Sequence, residues 1–177
     1  SGLLNFNRSY RQSTQGDYQY MGLGWTHNHA ITLTEDTVPT PKKIYVRLGN
    51  GGVAHFTQDG STTTYNGDPG SVSVIDASGT GASKYTLTAS DKSEYVFDDT
   101  GRLRSRTLPN GESITYTYYG VYHPANGLLK EVADDYGRKL RFSYINYSTG
   151  FDHLQLWRVG DTSAAGLDTS SPAGRYV

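Results

Sequence analysis

The sequence predicts an all-β protein, an antiparallel array of β-hairpins. Apolar and polar residues alternate in short runs, as in Ser113-Ile114-Thr115-Tyr116-Thr117-Tyr118 and Leu140-Arg141-Phe142-Ser143-Tyr144, the period-two signature of a half-buried strand. Glycine turns punctuate the runs: Gly101, Gly111, Gly127 and Gly137 are spaced 10, 16 and 10 residues apart. Composition agrees, since 21 glycines suit turns and 15 tyrosines suit a pleated surface. Repetition on this scale describes hairpins that cannot each close a core, which points to scaffold rather than catalyst.

The elements follow in order. Leu4 to Tyr10 alternates as a strand, and Gln12 to Asp17 is a polar loop. Gly22-Leu23-Gly24-Trp25 leads into a strand over Thr26 to Thr34, where Ile31 and Leu33 share a face. Glu35 to Lys43 carries Pro39 and Pro41, which a central strand does not tolerate, so it is a connection. Ile44 to Leu48 and Val53 to Thr57 flank a Gly49–Gly52 hairpin turn. Gln58 to Ser61 turns into a strand over Thr62 to Tyr65, and Val72-Ser73-Val74 is a strand between loops at 66–70 and 76–83. Tyr85 to Thr88 is followed by an Asp91-Lys92-Ser93 turn, then by the repeating block from Tyr95 to Tyr144, interrupted by an irregular insert over Tyr119 to Asn126. Asp152 to Val159 is a strand and 160–174 a loop, and Gly174-Arg175-Tyr176-Val177 reads as the first half of another strand. The tally is some ten to fourteen strands, with no window in which helical spacing beats the strand reading.

The alternation assigns faces. Ile114, Tyr116 and Tyr118 point to the core, as do Leu140, Phe142 and Tyr144, with the intervening residues outward. A shift of 26 residues lays Gly101-Arg102-Leu103 on Gly127-Leu128-Leu129, and Gly111, Ile114, Tyr116 and Tyr118 on Gly137, Leu140, Phe142 and Tyr144. Two consecutive hairpins therefore share one template.

Bulk properties exclude several functions. A net charge of −1 gives no basic footprint for nucleic acid. With no cysteine there is no disulfide, thiolate chemistry or cysteine-based zinc site. No apolar stretch reaches the roughly 18 residues of a membrane-spanning helix. The start at Ser1-Gly2-Leu3, without methionine or signal peptide, reads as a piece of something longer.

Site motifs are sparse. His27 and His29 would share one face of a strand, but a metal needs a third ligand, and His55 or Glu35 stands at no telling spacing. Asp98-Asp99 and Asp134-Asp135 precede glycines as turn aspartates do, and match no EF-hand or related calcium loop. No Gly-x-Ser-x-Gly elbow occurs, and Gly22-Leu23-Gly24 leads into a strand rather than the helix a phosphate loop requires. The sequence therefore assigns no catalytic, metal or cofactor residue. The tyrosine-rich sheet could stack on sugars, but its rings fall on the face already assigned to the core. The sequons Asn7-Arg8-Ser9 and Asn146-Tyr147-Ser148 read as chance occurrences.

Phe97-Asp98-Asp99-Thr100-Gly101-Arg102-Leu103 resembles the YD repeat, a Tyr-Asp pair followed by Gly-Arg-Leu, with Phe in place of Tyr; Asp134-Asp135-Tyr136-Gly137-Arg138 resembles it more loosely. Such repeats occur in bacterial Rhs proteins, in the C components of Tc toxin complexes and in teneurins. Leu4-Asn5-Phe6-Asn7-Arg8-Ser9-Tyr10 and Gly22-Leu23-Gly24-Trp25-Thr26-His27-Asn28-His29 are similar to the region preceding the repeats in Rhs-type proteins. The resemblance covers about Leu4 to Tyr144. It implies a long antiparallel sheet wound into a hollow shell that encloses or presents a C-terminal toxin. The family's autoproteolytic aspartyl segment has no counterpart here. On this reading residues 1–84 are a pre-repeat β region and 85–177 are repeat hairpins, in one continuous sheet. The protein is then a non-enzymatic, secreted or surface-located bacterial shell segment. Its partners are further repeats and the toxin module of the same parent chain. Open strands near Leu4 and Tyr176 would invite edge-strand self-association. The alternative is a carbohydrate-binding or adhesive surface module, which needs two or more solvent-facing aromatics in a groove.

Overall fold

The computed structural model describes residues 4–11, 21, 24–123, 125–146 and 154–161. They contain fourteen strands: β1 Arg8–Tyr10, β2 Trp25–His27, β3 Thr32–Asp36, β4 Lys43–Arg47, β5 Val53–Gln58, β6 Thr64–Gly67, β7 Val74–Asp76, β8 Tyr85–Thr88, β9 Glu94–Phe97, β10 Leu103–Thr107, β11 Ser113–Tyr118, β12 Leu129–Asp134, β13 Lys139–Asn146 and β14 Leu154–Asp161. β3 to β14 form one twelve-stranded antiparallel sheet in strict sequence order, each strand paired with its chain neighbours. β1 and β2 form a separate two-stranded ribbon. The protein is an all-β array of antiparallel hairpins.

One turn chemistry builds much of the array. At 48–52, 89–93, 98–102, 108–112 and 134–138, the first residue's N–H donates to the fifth residue's C=O, and its C=O accepts from the fourth residue's N–H. The fourth residue is left-handed each time, with φ of 79° at Gly51, 67° at Lys92, 78° at Gly101, 85° at Gly111 and 78° at Gly137. This is the three-residue hairpin loop whose left-handed residue forms a bulge. The insert after β11 obeys the same rule: Tyr119 N–H donates to Leu128 C=O, and Gly127 N–H, at φ 78°, to Tyr119 C=O. The irregular residues thus bulge from a hairpin closed by the standard pair of bonds.

The apolar face is continuous. Ile44, Val46, Ile75, Phe97, Leu103, Val132 and Phe142 are completely buried, and Ile114, Tyr116 and Leu140 nearly so. Each such aliphatic or aromatic side chain contributes about 1.5–3 kcal/mol by leaving water. The sheet curls. β3 carries this face round to the β9–β10 turn, where Leu33 N–H donates to Gly101 C=O at 2.8 Å and Thr32 bridges Arg102. Inside the roll, Glu35 accepts hydrogen bonds from Tyr65 at 2.7 Å and Tyr85 at 3.0 Å. The β1–β2 ribbon covers the face of β11–β13, with Phe6 and Phe142 rings 6.0 Å apart.

Several sequence expectations need correction. The strand expected over Thr26 to Thr34 breaks at 28–31, where Ala30 N–H turns back to His27 C=O; β2 and β3 belong to different sheets. Only Arg8–Tyr10 of the strand expected from Leu4 pairs, and it pairs with β2, so the first strand of the large sheet is β3, whose outer edge meets the β9–β10 turn at Thr32 and Leu33. Glu35 and Asp36 close β3 rather than open the connection. The strand expected at 72–74 lies at Val74–Asp76: Ile75 sits in register between Tyr65 and Leu87 and is buried, while Val72 is 68% exposed. The strand expected from Thr62 begins at Thr64, because Thr62 closes a turn onto Asp59 through its amide and hydroxyl. β14 runs two residues past Val159. The loops expected at 12–17 and beyond residue 161, the half-strand at 174–177 and part of the Gly22–Trp25 segment lie outside the described residues.

Candidate functional site

The candidate cluster with most chemistry lies where the ribbon meets the sheet. Asn28 pins the ribbon to the segment before β1: its side-chain oxygen accepts from Asn7 N–H at 2.9 Å, and its amide donates to Asn5 C=O at 3.0 Å. That clamp turns His27 and His29 inward, where they are 5% and 3% exposed. His27 lies between Phe6 and Phe142, with ring centroids 5.3 and 5.4 Å away. The His29 Nε2 lies 2.6 Å from Asn5 C=O and must donate to it, leaving Nδ1 to accept from Tyr116 Oη at 3.4 Å. The His27 Nδ1 is buried without a partner. Burial, aided by His29, lowers the His27 pKa to about 3. Burial also lowers His29 to about 4, opposed by the Asn5 bond and aided by the Arg106 charge. Both rings are neutral at neutral pH.

The sequence places both histidines on one face of a strand; in the structure His27 is the last residue of β2 and His29 lies in the turn after it, both in the core. Their ring centroids are 6.5 Å apart, and among the described residues no group of three potential metal ligands forms. His55 on β5 meets Tyr45 on β4 edge-on, and Glu35 is held by two tyrosines. A cleft of about 160 Å3 opens beside the pair, lined by His27, His29, Ile31, Arg102, Tyr118 and Leu129.

The paired aspartates build turns. The Asp98 Oδ1 accepts from the amides of Thr100 and Arg102 and from the Thr100 hydroxyl; its Oδ2 meets Arg102 and Arg104. The Asp134 Oδ1 accepts from the amides of Tyr136 and Arg138, and its Oδ2 meets Arg138. Apart from the Thr100 hydroxyl and Arg104, which have no counterpart at Asp134, the two turns make the same bonds from Asp to the arginine four residues on. Burial raises both carboxyl pKa values, but the Thr100 and Arg102 bonds at Asp98, and the Arg138 bonds at Asp134, outweigh it and hold both below the usual range. The fan of two arginines on Asp98, with both guanidiniums within 5.4 Å of the Tyr118 ring centre, went unnoticed in the sequence. The signal was there: an arginine follows each turn aspartate at i+4.

Most tyrosines in the ladder serve the core: Tyr65, Tyr85 and Tyr116 are buried, and Tyr118 donates to Leu103 C=O at 2.8 Å. Tyr10 and Trp25, paired across the ribbon, are 51% and 40% exposed, with rings 5.4 Å apart and Arg8 above the indole. Ser78 donates to Asp76 within its own turn, and Ser113 at the start of β11 donates to Asp135 in the turn after β12.

No known family model and no curated protein matches the chain.

Proposed function

We propose that the chain is a wall segment of an Rhs-type YD-repeat shell, whose work is mechanical: to enclose or present a toxin module of the same parent chain. The observation that carries this reading is the strictly sequential ladder, in which one hairpin template joins β4 to β5 and each successive strand from β8 to β13 in a single curling sheet. A wall grows in this way because each hairpin extends the apolar face of the one before it. The Asp-x-x-Gly-Arg turns at 98 and 134 supply a rigid corner each time. The wall lies at the bacterial surface or outside the cell and needs no catalysis of its own. Electron microscopy of the whole gene product tests this. A hollow particle whose C-terminal segment resists protease until the wall is denatured supports it; a solid particle with a freely digested C-terminus overturns it.

One observation favours a second reading. The Tyr10–Trp25 pair, with Arg8 beside it, is a solvent-facing aromatic platform of the kind that stacks on a sugar ring. A glycan array showing binding that Trp25→Ala abolishes would favour an adhesive module; an array with no hits removes it.

A further inference from the structure

We propose that the β1–β2 ribbon is an acid-released flap, hinged at Ala30–Ile31, which proton uptake by His27 and His29 detaches from β11–β13 while the twelve-stranded sheet stays paired. The inference rests on the geometry of this seam and goes beyond the shell reading.

Three observations carry it. First, the backbone hydrogen bonds of the ribbon close within itself: Arg11 to Gly24, Asn28 to Asn7, Ala30 to His27 and the β1–β2 ladder. Among the described residues no ladder bond ties it to the sheet, and once detached a lone two-stranded ribbon is marginal in water, so its own bonds open with it. Second, its grip is side-chain packing centred on the two imidazoles, which touch Phe142 and Tyr116. Third, among the described residues the seam offers no counter-charge, and only the bond to Asn5 C=O favours a charged His29. The charged and titratable groups facing the pair are Arg106 on β10, Arg102 at the β9–β10 turn, Tyr116 and Tyr118 on β11 and Tyr144 on β13. The β4–β5 turn meets the ribbon through Gly49 and Gly51, which carry no charge. Asp98, the carboxylate nearest in bonding to Arg102, is committed to Arg102, Arg104 and its own turn. The Nε of Arg106 is buried without a hydrogen-bond partner, and the carboxylate its charge acts on is Asp91, in the turn between β8 and β9 rather than at the histidine pair. A buried charge without a counter-charge is expelled toward water.

The sign follows from linkage. Closed, the rings titrate at about 3 and about 4. Released, each titrates near the ordinary value of about 6.5. The open form therefore binds more protons between those limits, and opening grows as pH falls through that window. With two protons taken up, the opening constant rises roughly a thousand-fold from about pH 7.5 to about pH 5.

Hydrogen exchange read by mass spectrometry, corrected for the intrinsic pH dependence, tests this on the whole chain. Amides at 25–30 are expected to lose two to three orders of magnitude of protection between those pH values, while those of β4 and β5 keep theirs. His27→Phe with His29→Gln, which keeps the aromatic packing and the donor to Asn5, should flatten the response. Unchanged protection at 25–30, equal loss in every strand, or the same loss in the double variant would overturn the flap. Should the double variant fail to fold, His29→Gln alone serves: half the logarithmic response supports the proposal, and the full response overturns it.

Discussion

At the residue scale, the account turns on positions where one atom decides the outcome. Gly101 is one. A Cβ there would lie 1.8 Å from Leu33 C=O, and its φ of 78° is one that side chains resist. Gly137 has the same φ but open space around it. Gly137→Ala is therefore expected to cost about 1 kcal/mol, the left-handed penalty alone, whereas Gly101→Ala must also push β3 away and should cost several times more by denaturant titration. Equal costs would mean that β3 does not reach the β9–β10 turn. Lys92 is the complementary case, the one described non-glycine residue with positive φ. Lys92→Gly should raise stability by about 0.5–1 kcal/mol, and a loss would show that the turn at 89–93 is not left-handed there. In the closed protein, the carbon-detected titration of His27 and His29 should show no midpoint between pH 8 and 5.5, because burial lowers both groups to about 3 and about 4. A midpoint near 6.5 would place the rings in solvent.

At the scale of the element, the hairpins depend on their corners and on one buried flank. The corner aspartates add stability above their unfolded pKa, about 3.9. Because Asp98 and Asp134 titrate lower when folded, that stability is lost as pH falls through the depressed folded values. Asp98→Ala strips acceptors from two amides, a hydroxyl and two arginines, and should cost about 2–3 kcal/mol. It should also shrink the acid limb of the stability curve; a variant that melts like the parent at pH 7 and pH 3 would contradict this. On the flank, Phe142 is fully buried between His27, His29 and Phe6. Phe142→Ala should therefore cost about 3–5 kcal/mol, and a loss under about 1 kcal/mol would place the ring on the wet face.

At the scale of the molecule, what the sequence makes legible is what repeats locally. The faces of β11 and β13, and the turns at Asp98 and Asp134, follow from alternation and turn chemistry within a few residues. The strand over Val74–Asp76 is not legible because Val72 and Val74 alternate equally well, and only register against Tyr65 and Leu87 brings Ile75 into the core. The break at Asn28 was invisible because a side chain clamped to Asn5 and Asn7, not a glycine or proline, bends the chain. His27 and His29 read only as neighbours on one face of a strand, since their burial is made by Phe6 and Phe142, far away in sequence. The curl itself hangs on Leu33 and Gly101, a backbone contact that leaves no periodic trace. The shell reading stands on the sequential wall. Cross-strand backbone nuclear Overhauser contacts in a labelled sample test it most directly. The account predicts contacts between Thr86 and Val96, Tyr116 and Val132, and Val132 and Leu140, together with the closing contact between Thr32 and Arg102. Strands that skip a chain neighbour, or parallel pairings anywhere between β3 and β14, would contradict it.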